Sequence, residues 1–132
     1  MRETAVAFEA TTTASFAAAV ARVREELPKE GFGILTEIDM QAKLKEKLGV
    51  DVPPSLILGA CHPPSAYRAL QAVPEVSVLL PCNVCVAVEN GQTVVRAMNP
   101  AAVMAVLAEP SLQAVGEEVG AALRRVVARV CA

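Results

Sequence analysis

The sequence predicts an α+β fold, a mainly antiparallel sheet with helices packed on one face. Three observations carry this. An Asn90-Gly91 pair stands between two apolar runs, the strongest short signal for a hairpin and so for antiparallel pairing. Near the end of the chain Leu112, Val115, Val119, Leu123, Val126 and Val130 recur at offsets of three and four, the period of a helix with one apolar stripe. Extended and helical patterns follow one another in the order β-α-β-α-β-α-β-β-α-α, and a chain of 132 residues has room for a single domain built that way.

Taken in order, Thr4 to Phe8 is a β-prone run, and the three threonines behind it carry hydroxyls able to cap a helix. Phe16, Val20, Val23 and Leu27 then mark the buried stripe of a first helix that Pro28 and Gly31 end. From Gly33 to Ile38 strict alternation sets Ile34, Thr36 and Ile38 on one side and Leu35 and Glu37 on the other. Asp39 is a good N-cap for Met40 to Leu48, and Gly49 is suited to the position just past a helix. This helix is rich in Lys and Glu, so it is expected to lie exposed.

Ser55 to Cys61 reads as a short buried strand, and Pro63-Pro64 suit the first turn of a helix whose apolar side is Tyr67, Leu70 and Val73. Val78 to Glu89 reads as a longer strand interrupted by Pro81, and Gln92 to Met98 returns antiparallel after the hairpin. Asn99-Pro100 turns into a short Ala/Val/Met helix that Pro110 separates from the last one. One helical layer leaves the other sheet face open. The alternation of Val84, Val86 and Val88 against Cys85, Ala87 and Glu89 makes that face only mildly polar, and a homodimer built through the sheet would cover it.

Composition excludes several classes of function. The formal net charge is −2, and only 20% of residues are charged, which does not suit binding to a nucleic-acid backbone. Four aromatic residues, Phe8, Phe16, Phe32 and Tyr67, are too few for a base-stacking platform. No window approaches the ~18 apolar residues of a membrane span, and Met1-Arg2-Glu3 does not open a signal peptide, so a cytoplasmic protein without membrane contact is expected. Four cysteines in such a chain are expected to be reduced.

Chemistry concentrates in two short segments. In Gly59-Ala60-Cys61-His62-Pro63-Pro64 a thiol and the sole histidine stand where a strand passes into a helix. A helix N-terminus favours thiolate, although two prolines remove amide donors from the first turn. In Leu79-Leu80-Pro81-Cys82-Asn83-Val84-Cys85 a C-x-x-C spacing lies on an extended run, where positions three apart face opposite sides. A Cys3His zinc site from Cys61, His62, Cys82 and Cys85 would therefore require a bulge. Cys61 with Cys82 alone would suit a soft metal or a redox role. Glu37 and Asp39 form a third group, a carboxylate pair on one side, with Asp39 also explained by capping.

The segments Gly31-Phe32-Gly33 through Glu37-Ile38-Asp39, Leu58-Gly59-Ala60-Cys61-His62-Pro63, Ala66-Tyr67-Arg68-Ala69-Leu70, Leu79-Leu80-Pro81-Cys82-Asn83-Val84 and Asn99-Pro100 resemble domain of unknown function family 302. The likeness spans roughly residues 31 to 100. It implies a small bacterial or archaeal α+β domain in a TATA-binding-protein-like arrangement, dimeric, with no established activity. Cys61 and Cys82 match the family pattern; His62 and Cys85 depart from it, the resemblance implying Asn and an aliphatic residue there. The resulting expectation is a homodimeric binding module for a small ligand or soft metal, with a pocket bordered by Cys61, His62, Cys82 and Glu37. Its alternatives are an enzyme using Cys61 as thiolate nucleophile or redox centre, and a structural or interaction protein with inert thiols.

Overall fold

The β-branched runs pair into one six-stranded antiparallel sheet in a computed structural model that describes residues 1–132. The strands are β1 (Arg2–Glu3), β2 (Ala7–Thr12), β3 (Gly33–Asp39), β4 (Ser55–Cys61), β5 (Cys82–Glu89) and β6 (Gln92–Met98). Their spatial order is β1-β2-β6-β5-β4-β3. The hairpin forms as the sequence requires, with Asn90 at φ 51° and Gly91 at φ 75°, the left-handed pair that a two-residue turn demands.

Five helices follow the predicted order: α1 (Phe16–Lys29), α2 (Met40–Leu48), α3 (Pro63–Ala72), α4 (Pro100–Met104) and α5 (Pro110–Val130). Side chains close the first turns of α1, α2 and α4. Ser15 Oγ accepts from Ala18 N, Asp39 Oδ1 from Ala42 N, and Asn99 Oδ1 from Ala102 N. Gly49, at φ 69°, ends α2 in the left-handed conformation, and no residue of α2 is buried.

Register decides what faces the helices. Phe8, Ala97, Val84 and Leu58 form one cross-strand row, and Ala10, Val95, Val86 and Leu56 the next. Against these rows pack Val23 and Leu27 of α1 and the whole apolar stripe of α5, giving one cluster of 24 buried residues. Each fully buried Val or Leu in it contributes about 1.5–3 kcal/mol of transfer free energy. The opposite face carries Arg96, which donates to both oxygens of Glu89 and to Glu9, while Glu9 also pairs with Arg2. Ala7 and Val94 are buried on this face, outside the core cluster.

Four local expectations are corrected. The first long strand is Ala7–Thr12 rather than Thr4 to Phe8, because β6 pairs along its length from Ala7↔Met98 to Thr12↔Thr93. This draws Thr11 and Thr12 into the sheet and leaves capping to Ser15. Residues Pro74–Leu79 form a 3-10 turn, and the strand begins only at Cys82, after a cis Leu80-Pro81 bond. A bulge between Ile34 and Thr36 inserts Leu35, so Ile34 shares the helix side with Glu37 while Thr36 and Ile38 face away. On α3 the buried residues are Ser65 and Ala69; Tyr67 is exposed, and Leu70 is only just so.

Candidate functional site

One end of the sheet, where β4 leaves, β5 enters and β3 begins, is crossed by α3 and by the turn Pro74–Leu79. The strands stop short of α5 there, and a cleft of about 340 Å³ opens between these elements. Val115, Gly116 and Val119 of α5 form its floor with Met104, and Ala60, Cys61, Leu80, Pro81 and Cys82 form the sheet-end wall. Gly116 is required by close approach: a Cβ there would stand 3.0 Å from Ala101 Cα.

His62 and Ser65 supply the polar end of the cleft. His62 is the N-cap of α3 but does not cap a backbone amide; its Nδ1 lies 2.7 Å from Ser65 Oγ. The imidazole meets Phe32 edge-on at 5.5 Å between ring centroids. It also lies against Gly31, where φ is +83° and a Cβ would come within 3.0 Å of Cδ2 and Nε2. Ser65 is only 2% exposed, and Arg68 Nη2 stands 3.4 Å from its Oγ. Arg68 in turn pairs with Glu118 at 2.8 Å. Beyond His62 and Ser65 a second, polar hollow of about 130 Å³ is bordered by Glu30, Glu118 and Arg125.

Cys61, His62 and Cys82 thus border one cleft, and Glu37 does not. Glu37 follows the bulge on β3, faces α1 and binds Arg24 Nη2 at 2.6 Å beside a separate hollow that also contains Asp39. The reason is distance along the sheet: its register partner is Leu58, three residues before Cys61.

The thiols differ. Cys82 pairs in register with Ala60, lies in the core at 5% exposure, and its thiol is pushed up to about 11 by burial and then by the nearby Cys61. Cys61 follows Ala60, so strand alternation assigns it to the other row. It is partly exposed and lies outside the core cluster. Cys85 faces away from the helices beside Arg96, and burial raises its thiol as well. No three of the His, Cys, Asp and Glu side chains converge, so the Cys3His arrangement of Cys61, His62, Cys82 and Cys85 does not form. Ser65 went unnoticed in the sequence, although H-x-x-S across a helix start is a spacing that brings two side chains onto one turn.

A helical layer on one face of an antiparallel sheet, with a cleft where the strands end, defines the class: a small α+β domain with an end-of-sheet site. The profile "Domain of unknown function DUF302" matches residues 8–130, and the chain belongs to that family. It is similar to a solved structure described as an uncharacterized conserved protein DUF302 from Bacillus stearothermophilus. The two share 28% identity over 96% of this chain and 98% of that one, with a TM-score of 0.88. No curated protein matches the chain. No helix is long and apolar enough to cross a membrane.

Proposed function

We propose that this chain is a cytoplasmic, homodimeric module that binds a small organic ligand in the end-of-sheet cleft. The observation that carries the reading is the cleft itself: about 340 Å³, apolar over its floor, with His62 and Ser65 at one end. An apolar hollow with few convergent polar groups is the usual form of a small-molecule site. The ligand therefore presents an apolar body to the cleft. An organic ligand is favoured over a soft metal, because alternation sends Cys61 and Cys82 to different rows and no third His, Cys, Asp or Glu side chain joins them. The enzyme alternative, with Cys61 as thiolate nucleophile, draws on the partial exposure of Cys61 at the same cleft. Inert, packed thiols remain the structural alternative.

For the dimer, the open sheet face offers Ile57, Cys85 and Ala87 beside the Arg96 ion-pair cluster, an apolar strip next to alternating charge that a two-fold axis can match to itself. A TATA-binding-protein-like arrangement would use this same face. Nucleic acid is not its partner in this reading, since Glu9 and Glu89 stand there in a chain of net charge −2.

The test uses 8-anilino-1-naphthalenesulfonate as probe. It is expected to bind the native protein at one site per chain, to slow iodoacetamide labelling of Cys61, and to be excluded by Val119→Trp, which fills the floor. A native protein that neither binds the probe nor protects Cys61 would refute the reading. Sedimentation of wild type against Ala87→Arg tests the dimer, which is expected to dissociate in the variant.

A further inference from the structure

We propose that Ser65 and His62 form a nucleophile–base pair that hydrolyses small carboxylic esters, the acyl group lying in the apolar cleft. The proposal rests on the cleft being a ligand site. It differs in the reacting atom, a serine oxygen in place of a thiol.

The hydrogen-bond pattern orients the pair. Arg68 has only donors, so in its contact with Ser65 Oγ, at 3.4 Å, the hydroxyl oxygen accepts. With His62 in the Nε2-protonated tautomer, the Ser65 hydroxyl donates to His62 Nδ1 at 2.7 Å, within the range a general base needs. Neither partner is free to drift. Phe32 and Gly31 hold the imidazole on two sides, and Ser65 is fixed in the first turn of α3. Both residues border the apolar cleft, so an ester whose acyl group lies there would turn its carbonyl toward Oγ.

The chemistry closes on these groups. Ser65 Oγ forms a bond to the carbonyl carbon as its proton passes to Nδ1. Negative charge collects on the carbonyl oxygen as the tetrahedral intermediate forms. The C–O bond to the leaving group then breaks, and the departing alkoxide takes the proton from His62. Water, deprotonated by the same nitrogen, attacks the acyl-serine and releases the carboxylic acid and the free hydroxyl.

The experiment treats the intact protein with a fluorophosphonate, which forms a stable adduct with activated serines, and locates the adduct by peptide mass spectrometry. p-Nitrophenyl acetate hydrolysis is followed in parallel. The adduct is expected on Ser65, with hydrolysis abolished in Ser65→Ala and reduced about 10²-fold or more in His62→Gln. Because labelling is read on the wild type, misfolding of a variant cannot mask the result. No adduct on Ser65 while the naphthalenesulfonate still binds would overturn the dyad and leave the binding site standing. Acyl transfer from the ester to Cys61 would overturn it in favour of the thiol.

Discussion

Gly59 is where the sheet can be tested against the cleft it supports. It stands on β4 between Thr36 of β3 and Asn83 of β5. A Cβ added there would lie 2.1 Å from Thr36 Oγ1 and 2.7 Å from Pro81 Cγ. Carbon atoms rest at ~3.5–4.0 Å, so the overlap with the proline ring is roughly 1 Å. Thr36 can rotate its hydroxyl away. Pro81 cannot yield without shifting the Leu80–Cys82 backbone, which walls the cleft. Overpacking of this kind costs ~1–3 kcal/mol, offset by ~0.5–1 kcal/mol from the backbone entropy that glycine loses on folding. Gly59→Ala is thus expected to destabilise by about 1–2 kcal/mol. With a urea slope of ~2 kcal/mol per M, the midpoint by far-UV circular dichroism should fall ~0.5–1 M. Gly33, at the start of β3, has nothing within 4 Å of a Cβ, and Gly33→Ala should leave the stability within ~0.5 kcal/mol of wild type. Adding Thr36→Ala to Gly59→Ala should recover only part of the loss, because the Pro81 contact remains. A Gly59→Ala protein as stable as wild type, or a Gly33→Ala protein equally weakened, would refute the reasoning.

Three other outcomes follow from named contacts. Cys82, buried and pushed up to about 11, should resist iodoacetamide at pH 8, where ~0.1% of it is thiolate, and should label only on unfolding; mass spectrometry reads this directly. The Glu30 carboxyl is held at about 2 by hydrogen bonds from Arg125 and then Arg129, ties between α1 and α5. Its folded value lies below its ordinary 4.5, so its stabilisation is present above that pH and is lost as pH falls from there through 2. After solvent screening the effect is about 1 kcal/mol, and Glu30→Gln should flatten the thermal-stability curve in that window. Asp39→Ala removes the cap of a helix with no buried residue, so ~1 kcal/mol should be lost locally. Hydrogen exchange should show residues 40–48 opening while the global midpoint barely moves.

Much of the fold is legible in the sequence, wherever a local pattern and its tertiary use agree. The Asn90-Gly91 hairpin, the Asp39 and Gly49 ends of α2 and the apolar stripe of α5 are of this kind, since backbone sterics, capping and helical period act within a few residues. Cys61, His62 and Cys82 at one cleft were legible as motifs at the ends of strands. Ser65 was not, because a serine in a first turn carries no pattern until a partner ring is seen beside it.

What the tertiary structure alone decided is register and therefore facing. One additional residue, Leu35, turns Ile34 to the helices, and Glu37 lies on that same side several residues from the cleft. Strand alternation likewise separates Cys61 from Cys82 although they are next to one another across β4 and β5. Side-chain direction in a sheet has a period of two, so a single bulge or a one-residue offset reverses it, and the sequence on either side reads almost the same. Composition and periodicity determine that this chain makes an antiparallel sheet and a helical layer; pairing between distant segments adds the short strand Arg2–Glu3 and determines which side chains meet.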